Sequence, residues 1–136
     1  MYSNILIPVA FEHEPAPDSV LEVARALSAK GARIVLLNVV EEIPTYVEAY
    51  LTKEVMDRSV KDAKARLAEI AGDAGSGVEA KVVKGHAGRA ILEFAEQRKC
   101  DCIVIASHKP GLQDYFIGST AGHVVRYAPC AVHVLR

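Results

Sequence analysis

With 136 residues, 51% of them hydrophobic, the chain has the size of one domain and enough apolar surface for a core without metals or disulfides. Sixteen basic against seventeen acidic residues give a formal net charge of -1, which advertises no basic face for nucleic acid and no polybasic segment for a membrane. Three cysteines, Cys100, Cys102 and Cys130, form neither a CxxC pair nor a zinc-ligand spacing; this argues against a disulfide framework or structural metal and for a reducing cytoplasm.

The first apolar run, residues 4–9, is too short for a secretory h-region and has no basic segment before it. It is expected to be a strand rather than a leader, and no run in the chain approaches membrane-spanning length. Val20, Val23, Ala24 and Leu27 then follow helical spacing after a cap at Asp18 or Ser19, with Gly31 as the C-terminal glycine. Residues 32–40 form a second continuous β-branched run. Val47, Leu51, Val55, Val60, Ala63, Leu67 and Ile70 keep the stripe of a longer helix that ends at Gly72, and the segment from Gly72 to Gly77 reads as a turn rather than a domain linker.

Residues 78–84 predict the third strand, and Ile91, Phe94 and Ala95 carry the third helix. Residues 102–107 predict the fourth strand. Ala121, Val124, Val125 and Ala128 carry a fourth helix that Pro129 must stop, and Ala131–Leu135 is the last strand. Strands that are apolar throughout, alternating with helices, predict a parallel sheet covered on both faces. Such sheets take ligands beyond the carboxyl ends of their strands, where the strand order reverses. Residues just after Val9, Val39, Lys84 and Ile105 are therefore the positions to watch.

The stretch IASHKPGLQDYFIGSTAG, residues 105–122, carries the most chemistry. A helix opening at Gly118-Ser119-Thr120 offers unpaired N–H groups and a positive dipole end to an anion, and Ser107, His108 and Lys109 would face it from the strand exit. The same residues also describe an ordinary capped helix after a surface loop. Elsewhere there is no P-loop, no GxGxxG fingerprint and no histidine pair at metal-ligand spacing. Gly118 to Gly122 only superficially resembles a nucleophile elbow, since its centre is Thr120. His13 between Glu12 and Glu14 reads as a solvated loop.

Taken together, the closing block IVIASHKPGLQDYFIGSTAGHVVRYAPCAVHVLR, the opening ILIPVA with LLNVV, and the intervening KGHAGRAILEFAEQRKCDCIVIASH resemble the universal stress protein (Usp) family. The resemblance covers the chain except residues 41–76. It implies one domain over residues 1–136, a doubly wound five-stranded parallel sheet with four helices of the Usp-like, adenine-nucleotide alpha-hydrolase-like type. It also implies an adenine nucleotide, ATP first, with or without Mg²⁺.

By position the resemblance puts Pro8, Val9 and Ala10 beside the nucleoside and the Val39 backbone on the adenine edge. Ala106, Ser107, His108 and Lys109 would meet ribose and phosphates, and Gly118, Ser119 and Thr120 would hold phosphates. The family's nucleotide-binding pattern is similar to G-x-x-G-x9-G-[ST]. Here Ala106 and Lys109 replace the first two glycines and eight residues separate Lys109 from Gly118, which resembles a subgroup with a shortened Ser-His-Lys/Arg-Pro loop. Ala10 stands where many members carry an aspartate. Losing that carboxylate removes a charge-assisted hydrogen bond worth about 1.5 to 3 kcal/mol, unless Glu12 or Glu14 replaces it.

The resemblance further implies a homodimer paired through Ala131–Leu135, an unidentified protein partner, and a regulatory stress-response role with little or no turnover. Slow ATP hydrolysis stays open, because no residue stands out as a base to position water. The alternative is a nucleotide-free dimerisation or interaction module with a degenerate site.

Overall fold

The computed structural model describes residues 1–11, 17–41, 53–107 and 117–136. Nine elements follow in chain order: β1 (Tyr2–Pro8), α1 (Pro17–Leu27), β2 (Ser28–Glu41), α2 (Lys53–Ala74), β3 (Val78–Gly85), α3 (Ala87–Gln97), β4 (Cys102–Ala106), α4 (Ser119–Tyr127) and β5 (Ala131–Leu135). The five strands form one sheet in the order β3-β2-β1-β4-β5, and every neighbouring pair is parallel.

Strict alternation along the strands sends residues to two cores. Ile5, Ile7, Ile34, Leu36, Cys102 and Val104 pack with Val20, Leu21 and Ala24 of α1 and Leu67 and Ala71 of α2. Their neighbours Leu6, Val35, Leu37, Ile103 and Ile105 turn the other way, against Ile91 and Ala95 of α3 and Ala121 and Val124 of α4. Being buried on both faces is why these strands read as unbroken apolar runs.

The chain leaves β1 toward β2 and β3, then crosses to β4 and β5 on the opposite side. The strand order thus reverses between β1 and β4, and a crevice opens beyond their carboxyl ends. At the other end of the sheet, the Asp101 carboxylate accepts the N–H groups of Ser3 and Asn4, both at 2.9 Å, and so fixes the start of β1.

Two boundaries differ from the sequence expectation, each for a physical reason. Strand β2 begins at Ser28 because Tyr2 pairs with Ser28 across a bulge before Asn4 pairs with Arg33. Gly31 takes a left-handed φ of 76° inside that bulge. Helix α2 runs through Gly72 to Ala74, and Gly75, at φ 96°, makes the turn instead. The apolar stripes are also narrower than their spacing predicts: Val55 of α2 is 48% exposed and Val125 of α4 is 49% exposed. Val47 and Leu51 lie outside the described residues. Among the described residues no helix is long and apolar enough to cross a membrane.

Candidate functional site

A cavity of about 720 Å³ sits at the carboxyl edge of the sheet. Ile7, Leu37 and Ile105 form its floor. Pro8, Val9, Ala10 and Phe11 from the β1 exit, Val39, Val40 and Glu41 from the end of β2, and Ala106 from β4 make its walls. Gly118, Ser119, Thr120 and Ala121 close it from the start of α4, Ser59 and Ala63 from α2, and Ala87 and Ile91 from α3. The size and the largely apolar lining with a few polar groups suit a small organic ligand.

The β1 exit is built by a change of hydrogen-bonding partner. Val9 N–H donates to Leu37 C=O at 2.8 Å, extending the ladder by one rung past the last strand residue. The next rung of a parallel ladder would run from Val39 N–H to the Val9 carbonyl. Instead the side-chain amide of Asn38 donates to that carbonyl at 2.8 Å. The sheet therefore splays apart here, and among the described residues the Val39 N–H has no rung partner on the β1 side. Asn38 is buried, with 8% of its surface exposed, so its amide had to find such a partner.

The α4 end is built for negative charge. Gly118 is the N-cap residue and has no side-chain cap bond. The first bond within the helix is from Gly122 N–H to Gly118 C=O, at 2.7 Å. The N–H groups of Ser119, Thr120 and Ala121 precede it, at the positive end of the helix dipole and on the wall of the cavity. Glu41 is the one charged residue among the described residues that line the cavity, so the two chemically distinct features of the wall are one carboxylate and one helix start.

Of the residues singled out in the sequence, Pro8, Val9, Ala10, Val39, Ala106, Gly118, Ser119 and Thr120 are brought together around this one space. Ser107 is placed differently. It is 2% exposed, it is absent from the described cavity wall, and its hydroxyl accepts the Gly118 N–H at 3.1 Å. His108 and Lys109, with the shortened loop they belong to, lie outside the described residues, as do Glu12 and Glu14.

Sequence reasoning missed four contributors. Asn38 had a signal, a lone amide inside the apolar run ILLNVV. Glu41 had its place just after Val39 at a strand exit, whereas Ser59 and Ala63 had none, because their approach depends on how α2 crosses the sheet. Phe11 is likewise held from a distance: the Arg66 guanidinium of α2 stacks over its ring, 4.4 Å from the centroid.

The thiols take no part in the site. Burial, with a smaller effect from Cys130, pushes Cys100 and Cys102 up to about 11, so both are protonated and inert at neutral pH.

The fold and the cavity define a class: doubly wound α/β proteins with a cavity at the strand switch point, against a helix start. The chain belongs to the universal stress protein family, whose model matches residues 1–136. It is 34% identical to universal stress protein A homolog 2 of Coxiella burnetii, covering 99% of this chain and 95% of that protein. Universal stress protein UspA from Lactobacillus plantarum has the same fold, with a TM-score of 0.78 at 25% identity over 99% of this chain and 98% of that one. A universal stress protein in complex with cAMP superposes with a TM-score of 0.71 at 19% identity, over 99% and 97% of the two chains.

Proposed function

We propose that the chain is a nucleotide-binding regulatory protein that holds an adenine nucleotide, ATP first, in the cavity between β1, β2 and α4. The observation that carries this is the uncapped start of α4 on the cavity wall. Three backbone N–H groups lie there beside the hydroxyl-bearing residues Ser119 and Thr120, and a phosphate is the ligand such a helix start favours most. In this arrangement Gly118, Ser119 and Thr120 hold phosphates, and Ala106 with Ser107, His108 and Lys109 supplies the strand exit and loop beside them. Pro8, Val9 and Ala10 flank the nucleoside. The Val39 N–H, left free by the splayed sheet, meets the adenine edge.

A related fold in complex with cAMP supports the same ligand class. Mg²⁺ would arrive with the phosphates, since among the described residues no group of three His, Cys, Asp or Glu is arranged to hold a metal ion. Glu41 is the one carboxylate among the described lining residues, and the expected role is binding with little or no turnover in a cytoplasmic stress response. The last strand, β5, lies at the sheet edge and is the expected pairing surface for a second copy.

The second reading is an interaction module without nucleotide. Ala10 favours it, because it is exposed at the cavity wall and carries no carboxylate. Calorimetric titration of ATP into the wild type and a Gly118→Val variant separates the two. Saturable binding that Gly118→Val abolishes, with an unchanged circular dichroism spectrum, is the expected result. Equal binding by both proteins removes the α4 start from the site, and no binding by the wild type favours the interaction module.

A further inference from the structure

Ser107 makes two hydrogen bonds that point to opposite ends of one segment. Its N–H donates to the carbonyl of Leu135, the last residue of β5, at 2.8 Å. Its hydroxyl accepts the N–H of Gly118, the N-cap of α4, at 3.1 Å. Helix α4 and strand β5 are consecutive, so the segment Gly118 to Leu135 starts and finishes on the same buried side chain and backbone unit. Strand β5 has a single sheet neighbour, β4, and among the described residues beyond β4 it is Ser107 that bonds to it.

We infer that Ser107 is a positioning residue that clasps both ends of the α4–β5 segment, so that occupancy of the helix start by a phosphate firms the edge strand. The inference rests on the nucleotide-binding proposal for the ligand but not for the clasp itself. Gly118 has no side chain with which to fix its own place, and the bond from Ser107 sets where the free N–H groups of Ser119, Thr120 and Ala121 point. A ligand that pulls on those groups shifts Gly118, and Ser107 carries that load through its own backbone to Leu135. The coupling needs no chain of intermediates, because one residue touches both elements.

The test compares the wild type, Ser107→Ala and Ser107→Thr by ATP calorimetry and by hydrogen exchange, without and with Mg-ATP. Ser107→Ala removes the hydroxyl but leaves the backbone bond to Leu135, so a change in β5 reports coupling rather than loss of that bond. In the wild type, ATP is expected to slow exchange in both 118–122 and 131–135. In Ser107→Ala, affinity is expected to fall about three- to tenfold, the size of one hydrogen bond, with protection retained in 118–122 and lost in 131–135. Ser107→Thr, which keeps a hydroxyl, is expected to restore both.

A hydroxyl that serves stability alone would raise exchange throughout the domain and leave the ratio of the two ATP-dependent protections unchanged, which overturns the inference. If the wild type binds no ATP, the nucleotide reading fails and the ligand-free comparison decides the clasp. Faster exchange of 131–135 in Ser107→Ala, beyond the average of the other strands, then supports it, and an unchanged β5 refutes it.

Discussion

The side-chain amide of Asn38 donates to the Val9 carbonyl at 2.8 Å and so takes the acceptor that the next rung of the β1–β2 ladder would use. Replacing Asn38 with leucine, of similar volume, leaves that carbonyl to seek another donor, and the nearest is the Val39 N–H. Urea denaturation is expected to show a loss of about 1 to 2 kcal/mol for an unpaired buried carbonyl, or less where the ladder extends itself. In both cases ATP affinity falls, because the edge of Val39 is either displaced or consumed. An Asn38→Leu protein with wild-type affinity would separate the splayed sheet from ligand binding.

Gly88, in the first turn of α3, is packed against His123 of α4. A Cβ at Gly88 would lie 2.7 Å from the imidazole Cδ2 and 3.3 Å from the histidine Cβ, and the latter cannot rotate away. Gly88→Ala is expected to destabilise by about 1 to 3 kcal/mol through overpacking. Adding His123→Ala relieves the contact, so the double variant should be more stable than the sum of the two singles allows. Additive losses in a double-mutant cycle would mean that the two helices do not share this contact.

Lys99 is the one described non-glycine residue with a positive φ, 54°. It follows α3, where its N–H bonds to Glu96 C=O at 3.2 Å, in the position that glycine normally fills after a helix. Its side chain is exposed and lies outside the ion pairs that Glu79 makes with Lys81 and Arg98. Lys99→Gly is expected to raise stability by up to about 1 kcal/mol by removing left-handed strain, read as a higher urea midpoint with unchanged slope.

The buried cysteines are expected to contribute to the alkaline limit of stability. In the folded chain, burial first and the neighbouring Cys130 second push Cys100 and Cys102 up to about 11, against about 8.5 in an unfolded chain. A group that holds its proton more tightly when folded contributes stability that is complete below its unfolded value and is lost as pH rises through the folded one. Stability is therefore expected to decline between about pH 8.5 and 11. Replacing both thiols with valine should flatten that decline, and an unchanged slope would assign the alkaline loss to other groups.

How much could be seen in advance follows from which forces are local. Continuous apolar runs such as residues 34–37 declared buried strands, because burial on both faces leaves no room for polar alternation. Gly118-Ser119-Thr120 declared a helix start for a different local reason, the preference of glycine and hydroxyl residues for helix N-termini. The ends of α1 and α2 were less legible: the bulge that pairs Tyr2 with Ser28 is a tertiary event, and α2 continues past Gly72 as far as Ala74, which packs against the core. Ser107 shows the limit most clearly. Its residue type and its place after a strand fit a ligand contact, yet its burial and its bonds to Gly118 and Leu135 depend on segments far along the chain.

The central claim is that the cavity at the strand switch point takes an adenine nucleotide by its phosphates, and thermal unfolding tests it most directly. The purified protein, stripped of bound ligand, is melted alone and with millimolar Mg-ATP, with GTP and AMP as comparators. A ligand at one hundred times its dissociation constant adds about 2.7 kcal/mol, a rise of several degrees in a domain of this size. The expected result is a rise with ATP that exceeds those with GTP and AMP and disappears in Gly118→Val. An unchanged midpoint at millimolar ATP would contradict the claim and move the search for function to the β5 edge.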